Sequence, residues 1–319
     1  MSYHWTQVTD RAPFAPRDGA GALVFDGAMW LIGGWNPRDK VHFPRVCSND
    51  VWRSTDGRDW SLVKPNTYVD DTFDAKQDWA GRHTGGYALH DGAMWLVGGD
   101  ANQGYHQGDV WMSADGRNWR CVLEEAPWAP RVLHGTALFQ GRLWIWGGQT
   151  MLGFADGADC FYDDAWVSSD GIAWTPLEPK EPRWTPRGMV GGSVVHDGRL
   201  WILGGGTYET PNTPGRTFHN DVWSTSDGIL WKCHTRNAPW SPRQYHDTVV
   251  FDGRMWVLAG WNSRNLNDVW FSSDGIAWRE VPDTPWPARH AASVYVYDDA
   301  IWVVAGSHMV SDVWKLERD

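Results

Sequence analysis

The chain is poor in positive charge. Its 319 residues carry 28 Lys and Arg against 39 Asp and Glu, a formal net charge of −11. A general nucleic-acid binder needs a basic footprint, so nucleic acid is not expected as a partner. Long apolar runs are missing as well. Nothing approaches the roughly 18 residues of a membrane helix, and no membrane partner is expected. Cysteine is scarce, at 4 residues, which excludes a disulfide framework. The opening residues, Met1 to Trp5, hold neither a basic nor an apolar stretch. No secretory signal is read there, and a cytoplasmic location is expected, with a processed secreted form left open. No segment keeps a helical period. A nucleophile elbow, a phosphate loop and a paired-cysteine metal motif are likewise absent.

The excess lies in 26 tryptophans and 35 glycines. Most recur in register, the mark of a repeat architecture. One class of tryptophan sits in short apolar runs ending in a small pair. These are Trp30 before Gly33-Gly34, Trp95 before Gly98-Gly99, Trp144 before Gly147-Gly148, Trp201 before Gly204-Gly205, Trp256 before Ala259-Gly260 and Trp302 before Ala305-Gly306. A second class stands in Asp-Val-Trp or its variant: Trp52, Trp111, Trp166, Trp223, Trp270 and Trp314. A third closes Asp-Gly-x-x-Trp, at Trp60, Trp119, Trp174, Trp231 and Trp278, with Trp5 in a similar context but without the turn. Trp79, Trp128, Trp184, Trp240 and Trp286 come shortly before an arginine, with Phe14 in the sixth place. Only Trp35, Trp146 and Trp261 fall outside the pattern.

Each unit reads as four short strands. The first starts after Arg17, Arg82, Arg131, Arg187, Arg243 or Arg289 and ends at a tight turn such as Asp26-Gly27 or Asp91-Gly92. Asp-Gly between apolar runs signals a hairpin, because both turn positions need positive φ. The second strand carries the apolar tryptophan and ends at the small pair. The third is Asp-Val-Trp-x-Ser, and a further Asp-Gly turn leads to the fourth. Six such units predict an all-β, six-bladed β-propeller of four-stranded antiparallel blades, one domain over 1–319. The chain stops inside a third strand, so the N-terminal strand at 3–9 is expected to complete the last blade. That closure removes two exposed sheet edges.

The small pair after an apolar strand, the downstream Trp and the upstream Pro-Arg (Pro16-Arg17, Pro130-Arg131, Pro186-Arg187, Pro242-Arg243) resemble kelch repeats. The resemblance covers essentially the whole chain and extends to the central domain of galactose oxidase. Ala259-Gly260 and Ala305-Gly306 depart from it by one methyl group each. The turn Ser54-Thr55-Asp56-Gly57-Arg58-Asp59-Trp60 and its four repeats also resemble a shortened Asp-box of sialidase-type propellers, which is structural there. Kelch propellers include protein-interaction modules, a sialic-acid mutarotase, plant specifier proteins and galactose oxidase, so the fold underdetermines the activity. The specifier family's Glu-x-x-x-Asp-x-x-x-His iron motif is absent, and the Tyr–Cys pair and matched histidines of a galactose-oxidase copper site are not found.

In a four-stranded blade, the second-to-third loops and the fourth-to-first connections share one face. Those loops diverge between units, and divergent loops on a rigid ring are where binding concentrates. The expected ligand contacts are Trp35, Asn36, His42, Tyr105, His106, Arg131, Tyr162, Tyr208, His219, Arg243, Trp261 and Asn262. The divergent loop of the third unit also carries Phe154, Asp156, Asp159 and Cys160, which are not among those contacts. Trp35 and Trp261 each follow a small pair and precede Asn. That suits stacking on a sugar or other ligand, and equally suits anchoring the loop on a neighbouring blade. Trp146 alternates with Trp144 and reads as inter-blade core. The six arginines form either a cationic ring for a carboxylate or six ion pairs with Asp50, Asp109, Asp164, Asp221, Asp268 and Asp312. The ion pairs are preferred, because a buried Arg without a partner is expensive.

His134 and His246 are the acid/base candidates, since the equivalent positions hold Ala20, Gly85, Val190 and Ala292. His42, His106 and His219 are weak metal candidates, but no tight ligand spacing appears. No cofactor is expected, a transition metal being the exception weighed. The leading reading is a monomeric binding protein that holds a small polar or acidic molecule, or a peptide, at the long-loop face and channel mouth. One alternative is an enzyme at the same mouth, either mutarotase- or isomerase-like or metal-dependent. The other is a protein-interaction scaffold.

Overall fold

The first turn of each unit forms as its sequence requires. Asp26-Gly27 has φ of 46° and 65°, and Asp91-Gly92, Gln140-Gly141, Asp197-Gly198 and Asp252-Gly253 repeat the pattern. The sixth turn, Asp298-Asp299, adopts it without glycine, at 48° and 53°. Asp tolerates the left-handed region better than most residues. The second Asp-Gly turn is built differently. Only its glycine has positive φ. Asp56 Oδ1 accepts from the Arg58 and Asp59 N–H groups, Ser54 Oγ accepts from Gly57 N–H, and Trp60 Nε1 donates to the Gly57 carbonyl at 2.9 Å. Side chains capping the backbone thus replace a two-residue hairpin.

The computed structural model describes residues 2–101, 105–150, 161–188, 192–209 and 215–319, with the backbone alone at 101, 105 and 106. It is all-β among the described residues, with six four-stranded antiparallel sheets arranged in a ring. Blade 1 comprises Gly21–Phe25, Ala28–Trp35, Cys47–Ser54 and Ser61–Lys64, and blade 2 Gly86–His90, Ala93–Ala101, Tyr105–Ser113 and Arg120–Leu123. Blade 3 runs through Gly135–Phe139, Arg142–Trp146, Ala165–Ser168 and Trp174–Leu177. Blade 4 follows as Ser193–His196, Arg199–Gly206, Phe218–Thr225 and Trp231–Thr235, and blade 5 as Asp247–Phe251, Arg254–Leu258, Val269–Ser272 and Arg279–Val281. Blade 6 takes Ser293–Tyr297, Ala300–Val304 and Val313–Arg318 from the C-terminus and Tyr3–Thr9 from the N-terminus. Trp5 faces Leu316 across that last pairing. No helix of the described residues is long and apolar enough to cross a membrane.

Tryptophan packs the joints between blades. Six buried apolar clusters each draw on two successive blades. Trp30 of blade 1 lies where a Cβ on Gly116 of blade 2 would stand, 2.2 Å from its ring, so only glycine permits that approach. Trp79, Trp128, Trp184, Trp240 and Trp286 are fully buried and meet Trp119, Trp174, Trp231, Trp278 and Trp5 edge to face. Trp146 is fully buried between blades 3 and 4, as its alternation with Trp144 implied.

Backbone and charge join the blades as well. Each unit-initial arginine pairs with the Asp in or directly before its own third strand, through both arms of the fork: Arg131 Nη1 and Nη2 reach Asp164 at 2.6 and 2.9 Å, and Arg289 reaches Asp312 at 2.9 and 2.8 Å. The same arginine's carbonyl accepts from the second residue of the preceding blade's small pair, as in Gly99 N–H to Arg131 and Gly260 N–H to Arg289. One residue therefore links two blades, with its main chain on one and its side chain on the other.

Two residues beyond Arg17, Arg82, Arg131, Arg243 and Arg289 the backbone turns left-handed, with φ of 57° at Gly19, 53° at Thr84, 60° at Leu133, 54° at Tyr245 and 49° at Ala291. These residues form a belt around the axis. Gly19 N–H donates to Ala291, Thr84 to Gly19, Leu133 to Thr84, and Ala291 to Tyr245. Non-glycine residues persist in this region only where surrounding structure over-determines them.

Candidate functional site

Two positions in each unit stand above the belt. One directly follows the arginine: Asp18, His83, Val132, Gly188, Gln244 and His290. The other directly follows the small pair: Trp35, Asp100, Gln149, Gly206, Trp261 and Ser307. Backbone bridges couple them blade by blade, as Asp18 with Trp35, His83 with Asp100, Val132 with Gln149, Gly188 with Gly206 and Gln244 with Trp261. Equivalent positions of the units thus form two sets of residues, coupled pairwise through the backbone. Their side chains are where the repeat breaks down.

Residues of both sets line a cavity of about 550 Å³. Its lining includes Asp18, Trp35, His83, Asp100, Gln149, Tyr208, Arg216, Tyr245, Trp261 and His290, with Thr84 and Ala291 of the belt as floor. Thr84 and Ala291 also border a smaller, adjoining cavity of about 230 Å³, lined by His134 and Asp247. Aromatic rings run round the mouth. Trp35 stacks on His83 at 5.7 Å and 23°. Tyr245 meets His290 at 5.2 Å and Tyr208 at 5.8 Å, while Phe218 meets Trp261 at 5.4 Å. The Arg216 guanidinium lies over both Tyr208, at 5.0 Å, and Trp261, at 4.7 Å.

The mouth's charges are unusual. Asp18 is only 5% exposed, and its carboxyl makes no hydrogen bond or ion pair with the described residues. Burial pushes it up to about 8, because removing water penalises the charged form. Burial pushes His290 down to about 4 and also lowers His83, against the pull of Asp100. Both imidazoles are therefore neutral at neutral pH. The Tyr208 hydroxyl is raised by burial, with Arg216 opposing and the Asp18 and Asp100 carboxyls adding to the rise. Tyr208, from blade 4, thus lines the same cavity as the acids of blades 1 and 2.

Of the residues expected from sequence, Trp35, Tyr208 and Trp261 come together here. Asn36 instead caps its own loop through Arg38 N–H, and His42 bonds Asp39 at 2.6 Å, both in a separate cleft beside Asp50. Arg131 and Arg243, 1% and 0% exposed, are taken up by Asp164 and Asp268. Tyr162 lies under the Arg131 guanidinium at 4.2 Å. His219 is pushed down to about 4 by burial and then by Arg187, away from the cavity lining. Asn262 bonds Arg264 through its main chain within its own short loop. The side chains of Tyr105 and His106, and all of Phe154, Asp156, Asp159 and Cys160, lie outside the described residues.

His134 and His246 sit below the belt, and burial first and then Arg131 or Arg243 push each to about 3. His246 Nε2 lies 2.8 Å from the Leu203 carbonyl of the preceding blade, a core contact. Among the described residues no three His, Cys, Asp or Glu side chains converge as metal ligands would. Asp18, Gln149 and Tyr245 were not anticipated. Their signal was available in register, as the positions one and two beyond the arginine and one beyond the small pair. Neither a protein-family model nor a curated protein matches the chain.

Proposed function

We propose that this is a kelch-type propeller whose function is to hold a small polar ligand in the cavity at its channel mouth. The observation that carries the reading is the pairing of a repeating scaffold with non-repeating, aromatic and polar side chains converging on one concave site of about 550 Å³. That size and mixed lining suit a small molecule. The rigid belt beneath it supplies a preformed floor, which lowers the ordering cost of binding. The arginines that suggested an acidic ligand are spent on their aspartates, so the acidic option loses its main support.

The test is a thermal-shift screen of chelator-treated protein against sugars, organic acids, amines, short acidic peptides and divalent metals. A ligand that binds only the folded state raises the melting temperature. A shift with a small molecule that vanishes in Trp261→Ala supports the mouth. A shift that survives Trp261→Ala, Tyr208→Ala and Arg216→Ala alike would place the ligand elsewhere and sink the reading. An enzyme at the same mouth is a second reading, favoured by one observation. A carboxyl held near neutrality at Asp18 is suited to acid/base work, whereas His134 and His246 lie outside the cavity at the mouth.

A further inference from the structure

The mouth cavity is lined by two acids and by four large aromatic residues, and a ligand bound there must answer both. Asp18 is the more informative acid. A carboxyl that is nine-tenths buried and makes no hydrogen bond or ion pair with the described residues is costly in the free protein, because most of the water it has lost is not replaced. A positive charge beside it would favour its ionised form. Asp100 shares the lining, and His83 and His290 add no positive charge once burial has neutralised them. Arg216 is the one cation in the described lining, and Glu209 stands 3.9 Å from it. An anion would therefore meet an acidic neighbourhood, in a chain that already carries −11.

The aromatic walls point the same way. A π-face attracts cations electrostatically, most strongly where water is excluded. The chain itself demonstrates this, since Arg216 lays its delocalised cation on Tyr208 and Trp261 together. It reaches there from a loop beyond the second strand of blade 4 and is about one-third exposed, so it is a covering group rather than a core one.

We propose that the mouth is an aromatic cage for a small organic cation, an alkylammonium or guanidinium group held by Asp18 and the walls of Trp35, Tyr208 and Trp261, with Arg216 occupying part of the cage until the ligand displaces it. The inference rests on the proposed ligand-binding mouth and narrows it to one charge class. It also reverses the role of Arg216. In an acid-binding site Arg216 would be the anchor and its loss would abolish binding. In a cation cage it is a competitor and its loss improves binding.

Isothermal titration of the full chain tests this with choline as the probe and 3,3-dimethylbutan-1-ol as its uncharged isostere, alongside glucose and lactate. Choline is expected to bind at least tenfold more tightly than the neutral isostere. Asp18→Asn should weaken choline at least tenfold and leave the isostere unchanged, which a merely unfolded variant would not do. Arg216→Ala should tighten choline several-fold. Absence of choline binding in both the wild type and Arg216→Ala overturns the cage. If lactate or glucose then binds, and Trp261→Ala abolishes it, the ligand-binding mouth stands while its cationic preference is lost. If none of the four probes binds wild type or Arg216→Ala, the small-molecule mouth falls with it.

Discussion

Removing one charge from the Arg289–Asp312 pair should cost more than any surface substitution in this chain. Arg289 is 0% exposed and Asp312 is 4% exposed. The guanidinium donates to both carboxylate oxygens at 2.9 and 2.8 Å, to the Ala305 carbonyl at 2.9 Å and to the Pro287 carbonyl at 3.1 Å. The carboxylate also accepts from Trp314 Nε1 at 2.8 Å. Asp312→Asn keeps the shape but leaves a buried cation facing an amide, with one former acceptor now a donor. Breaking one side of a buried pair costs about 3–5 kcal/mol, mostly because the surviving charge is uncompensated. Urea unfolding followed by tryptophan fluorescence should show a lower midpoint with an unchanged slope. Replacing both partners, as Arg289→Met with Asp312→Leu, should recover part of the loss, since no lone charge remains. Recovery should stay incomplete, because Trp314 Nε1 loses its acceptor. A loss below about 1 kcal/mol for Asp312→Asn, or strict additivity in the double variant, would refute the pair as a coupled joint.

Deleting residues 1–9 strips blade 6 of its outer strand and exposes the edge of Val313–Arg318, so size-exclusion chromatography should show unfolding or self-association; an unchanged monomer with the same melting temperature would contradict ring closure. Trp201→Ala should cost about 3–5 kcal/mol, since that ring fills the joint between blades 4 and 5, while Trp35→Ala and Trp261→Ala, which are half-buried in the mouth, should cost clearly less in the same denaturation assay. Stability should fall with acid. Burial alone would raise Asp50, Asp164, Asp221, Asp268 and Asp312, but their arginine partners and other hydrogen-bond donors outweigh it and hold all five below the usual carboxylate value. A depressed folded pKa contributes stability above the unfolded value of about 3.9 and loses it as pH drops towards the folded value. Urea midpoints flat between pH 7 and pH 3 would count against these pairs.

Much of this structure was legible in the chain because its causes are local or repeated. A strand, an Asp-Gly turn and a capped Ser-x-Asp-Gly loop depend on a few neighbouring residues, so each can be read from its own segment. Repetition then supplied what a single segment could not, namely the number of blades and the missing strand that the N-terminus fills. The preference for ion pairs over a cationic ring was also correct in kind, from the equal register of Arg and Asp. The coupling of Arg131's main chain to blade 2 and its side chain to blade 3 was not visible, because it depends on how blades abut.

The mouth is the opposite case. Trp35 and Trp261 stood out as exceptions to the repeat, but Asn36, His42 and Asn262, close by in sequence, settle in their own loops instead. Asp18 looked unremarkable beside Arg17. Its neighbours in space are Tyr208 from blade 4 and Asp100 from blade 2, and no sequence separation announces that meeting. Sequence by itself determined the repeat, the antiparallel blades and their closure, since these follow from short-range hydrogen bonding and periodic burial. Only the tertiary structure decided which side chains share the cavity and which acid loses its water, because burial and electrostatic environment belong to the assembled ring and not to any one blade.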